Sequence, residues 1–238
     1  MHRFFAYRLE DDRARLSAEE AAHALKVLRL KKGDECQVIL DGGIFGAEIA
    51  ETAPDVTVRL LAPLPSPEPS VRVTLYQGLP KGDKMDFIAQ KCAEIGVCRI
   101  VPVVFSRCVV KWDRKDGEKK LLRWQRIAKE AAKQAGRAAV PEIENAVTVE
   151  QLAQRLPGHG LVLAPWEEAE GGGMAGHLRG QKDIALIIGP EGGIDQDEME
   201  KMRSAGAVPV TLGPRILRTE TAGLAALASL LTLTGDMQ

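Results

Sequence analysis

The sequence predicts an α/β protein, a small β-barrel followed by a parallel α/β sheet. Three observations carry this. The first seventy residues hold short strand patterns punctuated by turns, the remainder alternates apolar runs with helical patterns, and a proline-rich segment divides them. That segment, "APLPSPEPS" at 62–70, has proline at 63, 65, 67 and 69. Such spacing favours extended polyproline II over helix or ladder pairing and reads as a stiff linker. The expected domains are 1–70 and 71–238.

In the first part, Ser17 with Glu20 three residues later forms a capping-box pattern ahead of "AAHALKVLRL", one helix. "ECQVIL" and "AEIAET" flank "DGGIFG", where Asp41-Gly42-Gly43 signals a hairpin, and "DVTVRLL" alternates at period two. In the second part "VRVTLYQGL" is a strand, "KMDFIAQKCAEIG" a helix ended by Gly96, and "RIVPVVFS" a strand. A long helix is expected over 118–138. "GLVLAP", "DIALIIG" and "AVPVTLG" are apolar strands ending at Gly or Pro, and a terminal helix starts near Thr219. Apolar runs separated by helices predict a parallel sheet buried on both faces. "EEAEGGGMAG" at 167–176 reads as a mobile loop.

The 238 residues are 45% hydrophobic and only 4% aromatic, so the core is built from Leu, Val, Ile and Ala. A formal net charge of −1 excludes a globally basic nucleic-acid binder; basic groups must act locally. Cys36, Cys92, Cys98 and Cys108 form no C-x-x-C pair, which argues against zinc and for reduced, buried thiols in a cytosolic protein. No charged start precedes a long apolar run, and no apolar stretch reaches 18 residues, so neither a signal peptide nor a membrane span is expected.

Ligands of open α/β sheets bind beyond the carboxyl ends of strands. Three strand ends here carry unusual loops: Pro165, "GPEGG" at 189–193, and "GPRILRTETAG" at 213–223. Each alone reads equally as a turn; their coincidence in one sheet points to a ligand. None is G-x-G-x-x-G or a Walker sequence, which leaves dinucleotide and triphosphate binding without a fingerprint. Thr219 or Thr221 suits the cap of the apolar terminal helix, and Glu220 its positive end. Arg215 and Arg218 want an anionic or carbonyl partner, either an internal carboxylate or a substrate. Between Lys111 and Arg137 there are ten Lys/Arg against four Asp/Glu. That stretch is either a solvated face or a phosphate-tracking surface, and "SRCVVKW" before it adds Arg107 and an aromatic. Lys81 and Lys84 lie at a helix start that welcomes anions, or Asp83 simply caps that helix.

Taken in order, "HRFF", "HALKVLRLKKGDE", "KGDKMDFIAQKCAEIGV", "IVPVVFSRC", "AKEAAKQAGR", "IIGPEGG" and "LGPRILRTETA" resemble the bacterial 16S rRNA uridine-N3 methyltransferases called RsmE, of the SPOUT superfamily. The resemblance spans nearly the whole chain. It implies a PUA-like RNA-binding β-barrel over 1–70 and a SPOUT-type α/β methyltransferase domain over 71–238, threaded as a trefoil knot. It implies S-adenosyl-L-methionine as cofactor, 16S rRNA of the small ribosomal subunit as substrate, a cytoplasmic homodimer, and neither metal nor membrane. Carried over, the cofactor site comprises Leu163, Pro165, Ile188, Gly189, Pro190, Glu191, Gly192 and Gly193, then Leu212, Gly213, Ile216, Leu217, Thr219, Thr221 and Ala222. The glycines are expected to spare the cofactor a collision. Arg218 is the expected charge-stabilising catalytic residue and Glu220 a second candidate, to accept a proton or orient the base. Arg3, Arg29, Lys81, Lys84, Arg107, Lys111, Arg126 and Arg137 are the expected RNA contacts. Ribose 2′-O methylation, a non-catalytic RNA-binding assembly factor and a small-molecule α/β enzyme are the rival readings.

Overall fold

Asp41 and Gly42 both take positive φ, 53° and 76°, the backbone of a two-residue turn whose twist matches the strands it joins. The turn closes the hairpin of β3 (Glu35–Leu40) and β4 (Gly43–Glu51). β1 (Arg3–Glu10) pairs antiparallel with β2 (Arg13–Leu16) and parallel with β3, while β5 (Thr57–Leu64) joins β2 to β4. The order β1-β2-β5-β4-β3 is a closed barrel, and closure removes the open edges a five-stranded sheet would present. Inward positions are apolar: Phe4, Val38, Ala47, Ile49 and Val58 are fully buried. Ser17 caps α1 (Ala18–Ala22) by accepting a hydrogen bond from the Glu20 N–H, and the helix widens into a π turn at His23–Val27.

The structure is a computed structural model that describes residues 2–110, 112–170 and 172–237. The chain forms two units: Met1–Glu68 with Gly136–Ala139, and Pro69–Ala135 with Val140–Gln238. The four-residue piece distinguishes this division from a single cut at 70. Its reason is electrostatic. The Glu68 carboxylate accepts from Arg137 Nη2 at 2.6 Å and from the N–H groups of Ala138 and Ala139 at 2.7 and 3.2 Å. Arg3 holds Gln37 Oε1 and donates to the Gly136 carbonyl. The proline segment also departs from expectation. β5 runs to Leu64, with Pro63 opposite Phe45 in the ladder. Its pairing with β2 stops at Arg59, so Pro63 has an outer flank that needs no donor, where a strand tolerates proline.

The second unit is a parallel sheet of order β12-β10-β11-β6-β7-β8, with β9 also on β7. Its strands are β6 (Arg72–Gly78), β7 (Arg99–Val104), β8 (Glu142–Ile143), β9 (Val147–Thr148), β10 (Leu161–Pro165), β11 (Asp183–Ile188) and β12 (Ala207–Val210). Apolar runs become strands here because both faces are covered. On one face Leu75 and Leu186 pack with α2 (Lys84–Ile95), α3 (Arg114–Gln134) and α6 (Thr219–Leu233) through Ile88, Ala128 and Leu227. On the other, Tyr76 and Ile187 meet α4 (Val149–Arg155) and α5 (Gln196–Ser204) through Leu152 and Met199. α3 starts and stops four residues earlier than expected. Gly136 takes φ 68°, and the residues after it bond Glu68 instead of continuing the helix. No helix among the described residues is long and apolar enough to cross a membrane.

Candidate active site

The carboxyl ends of β10, β11 and β12 and the start of α6 enclose one cleft of about 680 Å³, within the range of small-molecule sites. β10 delivers Pro165; β11 delivers Ile188 and the loop Gly189, Pro190, Glu191 and Gly193; the segment after β12 delivers Leu212, Gly213, Ile216, Leu217 and Arg218; α6 adds Thr219 and Ala222. The three strand-end loops singled out in the sequence thus converge. Four expected residues lie off the wall. Leu163 is fully buried in β10, and Gly192, Thr221 and Glu220 are not part of the lining.

Thr219 anchors the site. Arg218, φ −64° and ψ 151°, occupies the N-cap position without a side-chain cap bond. Neither threonine is therefore the cap that helix propensity suggests. The Thr219 hydroxyl instead donates to the Gly189 carbonyl at 2.6 Å and accepts from Gln77 Nε2 at 2.8 Å. One buried side chain so joins the ends of β6 and β11 to the start of α6. The glycines of the 189–193 loop also have a reason other than the expected one. A Cβ on Gly189 would lie 2.8 Å from Ile194 Cγ1, and one on Gly192 2.9 Å from Arg107 Cβ and 3.0 Å from its carbonyl oxygen. The protein's own atoms exclude these side chains. Gly213 differs: it has φ 103° and open space where its Cβ would stand.

Charge is distributed unevenly around the cleft. The Glu191 carboxylate accepts from the Lys81 N–H at 3.0 Å and from Lys84 Nζ at 2.9 Å. Burial pushes its carboxyl up, but these two donors outweigh burial and hold it below the usual carboxylate range. Lys84 also reaches Glu220 at 3.1 Å, and the hydrogen bond it donates to Glu191 raises the ammonium above the ordinary lysine value. Arg215 and Arg218 line the cleft, yet their side chains pair with no described residue. The N–H and C=O groups of Leu212, Ile216 and Leu217 likewise bond no other described residue.

The expected RNA contacts scatter. Arg137 is 5% exposed and bound to Glu68, so it faces no solvent and is withdrawn as a contact. Arg3 is spent on Gln37 and Gly136. Arg107 braces the cofactor-side loop, pairing with Asp195 at 2.9 Å and donating to the Gly192 carbonyl at 3.4 Å. Lys84 belongs to the carboxylate cluster. Arg29, Lys81 and Arg126 are exposed, and Lys111 lies outside the described residues. Asp83 makes no side-chain cap to α2. Sequence reasoning missed Lys84, Trp166, Glu167 and Thr211 as cleft residues. The signal was available for Trp166 and Glu167, which directly follow a strand end already singled out. Among the described residues no cluster of His, Cys, Asp and Glu is placed to hold a metal.

One unit that is a closed barrel and another that is a parallel sheet with a cleft at its carboxyl edge make up the architecture of an RNA methyltransferase with an accessory barrel. The RNA methyltransferase domain family matches residues 66–231, and the RNA methyltransferase PUA domain family matches residues 16–61. The Ribosomal RNA small subunit methyltransferase E of Bacillus subtilis is 35% identical, over 90% of this chain and 88% of the relative. A Neisseria gonorrhoeae protein of the same name, solved bound to S-adenosyl methionine, is 32% identical, with a TM-score of 0.81 over 98% of each chain. A Legionella pneumophila protein solved in complex with the cofactor SAM is 33% identical, with a TM-score of 0.79 over 97% of this chain and 96% of that one. The chain belongs to the ribosomal RNA small subunit methyltransferase E family.

Proposed function

We propose that this protein transfers a methyl group from S-adenosylmethionine to N3 of a uridine in 16S rRNA of the small ribosomal subunit. The observation that carries the reading is the convergence of three strand-end loops on one cleft that also holds an unpaired guanidinium, Arg218. The residues present fit the cofactor. Pro165, Ile188, Leu212 and Leu217 supply apolar walls, and the unpaired backbone groups of Leu212, Ile216 and Leu217 offer donors and acceptors for an adenine edge. Glu167 supplies negative charge for a cation.

When bound, S-adenosylmethionine supplies a methyl group already activated by its positive sulfur. The chain's task is to hold the acceptor in line and to stabilise its charge. Loss of the N3 proton spreads negative charge over the flanking uridine carbonyl oxygens. Arg218 occupies the N-cap position of α6, and its unpaired guanidinium is free to oppose that charge. Glu220 is off the cleft wall and its carboxylate is held by Lys84, so Arg218 alone carries the catalytic assignment.

The finer features follow from the same reading. The enzyme is a cytoplasmic homodimer. Half-buried Leu224, Ala225 and Ala228 on the nearly all-apolar α6 support pairing, and four free thiols suit a reducing compartment. The chain leaves β12 at the sheet edge, passes the ends of β10 and β11, and enters α6, which packs on β11 and β6. That path supports trefoil threading. The test is methyl incorporation into small-subunit rRNA from cells lacking the enzyme, followed by position mapping. A methyl on uridine N3 is expected, and a ribose 2′-O product overturns the assignment. Arg218→Ala should cut transfer by about 10²-fold while the dimer persists.

A further inference from the structure

Lys84, the first residue of α2, stands between two carboxylates from distant parts of the chain. Its Nζ lies 2.9 Å from Glu191 Oε1 and 3.1 Å from Glu220 Oε2. The three side chains are 32%, 23% and 17% exposed. Glu220 Oε2 is buried and accepts no hydrogen bond, so the Lys84 ammonium is the cation it faces. Glu220 is two residues from Arg218, and Glu191 and Arg218 line the same cleft. The Arg218 guanidinium pairs with neither carboxylate. A guanidinium that pairs with a carboxylate has its charge and its donor fork already committed.

We propose that Lys84 is a positioning residue: by holding Glu191 and Glu220, its ammonium keeps Arg218 unpaired and available to the methyl acceptor. A lysine ammonium is charged throughout the neutral range, and the hydrogen bond Lys84 donates to Glu191 shifts its pKa further up. The arrangement also gives Glu220 a purpose that does not need it to touch the substrate. It completes the clamp that fixes the start of α2 against the start of α6. The inference rests on the proposed reading of the cleft as the methyl-transfer site.

The experiment compares Lys84→Met, Lys84→Arg, Glu220→Gln and the double variant Lys84→Met/Glu220→Gln in the full chain. In the protein without cofactor, the Arg218 side-chain Nε–H resonance should exchange rapidly in wild type. In Lys84→Met it should become shifted and slowed as Glu220 or Glu191 captures the guanidinium. In turnover, Lys84→Met should lower kcat by about twofold to fivefold, the scale of one exposed ion pair forming, with S-adenosylmethionine affinity by calorimetry changed by less than about twofold. Lys84→Arg should restore most of the rate. The double variant should be faster than Lys84→Met, because one competing carboxylate is gone; a merely structural role predicts it to be as slow or slower. An unmoved Arg218 resonance, or a double variant no faster than Lys84→Met, overturns the proposal. Should Lys84→Met not fold, Lys84→Gln takes its place with the same expectations. Wild-type protein that binds no S-adenosylmethionine would defeat the reading of the cleft, and the resonance comparison without cofactor would still decide the Lys84 contact.

Discussion

Thr219→Val removes one oxygen and keeps nearly the same shape, which makes it a sharp probe of the joint between β6, β11 and α6. The hydroxyl is 5% exposed in its residue and makes two bonds, 2.6 Å to the Gly189 carbonyl and 2.8 Å from Gln77 Nε2. Each intramolecular bond of this kind contributes about 1 kcal/mol net, and a buried partner left unsatisfied costs about 1–3 kcal/mol. Gln77 keeps its second bond, 3.2 Å to the Gly78 carbonyl, so its amide is only partly orphaned. The expected loss is about 2–4 kcal/mol, a shift of about 1 M in the urea midpoint. Because Gly189 lines the cleft, S-adenosylmethionine affinity should weaken by about tenfold, the equivalent of ~1.4 kcal/mol. Urea titration and calorimetry on the same preparations measure both. Thr219→Val with Gln77→Met should cost less than the sum of the single changes, since both remove one interaction. A stability within about 0.5 kcal/mol of wild type would refute the claim that this hydroxyl holds the three segments together.

Gly192→Ala should weaken S-adenosylmethionine binding by about tenfold in calorimetry, because the new methyl meets Arg107 at its Cβ and its carbonyl oxygen, and the latter is backbone that cannot swing aside. Arg137→Met should lower stability by about 2–4 kcal/mol in urea titration, since it leaves the Glu68 carboxylate without its guanidinium, and Glu68→Gln, which leaves the more deeply buried guanidinium without a carboxylate, should lower it by at least as much. Burial raises the Cys92 thiol to about 12 and the Cys36 thiol to about 11, so neither should react with a thiol-specific disulfide reagent at pH 8 until the protein unfolds. The same shifts carry a pH dependence. Both thiols stay protonated in the native state, while the unfolded chain ionises them above the ordinary value of 9.0. Unfolding then releases protons, and stability should fall as pH rises from about 9 towards 12; a urea midpoint that stays level between pH 8 and 10.5 would contradict it.

Much of this architecture was legible because its signals are local. The Asp41-Gly42 turn, the Ser17 cap and the Gly96 stop to α2 depend on neighbours in sequence. "DIALII" and "LVLAP" read as buried strands because a parallel sheet covered on both faces demands continuous apolar runs. The cleft was legible in outline because strand ends rich in Gly and Pro are where such sheets bind ligands, and the family resemblance put a cofactor there. What stayed hidden depends on contacts between distant residues. Lys84 and Glu191 are 107 positions apart, and no local pattern distinguishes a lysine that clamps two carboxylates from one that awaits an anion. Arg137 belonged to a basic stretch yet turned inward, where Glu68, far away in sequence, pairs with it. Thr219 misled for a different reason. A hydroxyl that caps a helix and one that ties together three segments are the same residue type at nearly the same place.

The four residues Gly136–Ala139 make the barrel indivisible in a genetic sense. A gene fragment ending near codon 70 would encode all five strands, yet leave Ile39 and Ile44 without the Ala138 methyl that covers them and Glu68 without its guanidinium. Transplanting this barrel onto another protein would require carrying along a stretch encoded some two hundred nucleotides downstream. Recombination that shuffles contiguous modules would be selected against here.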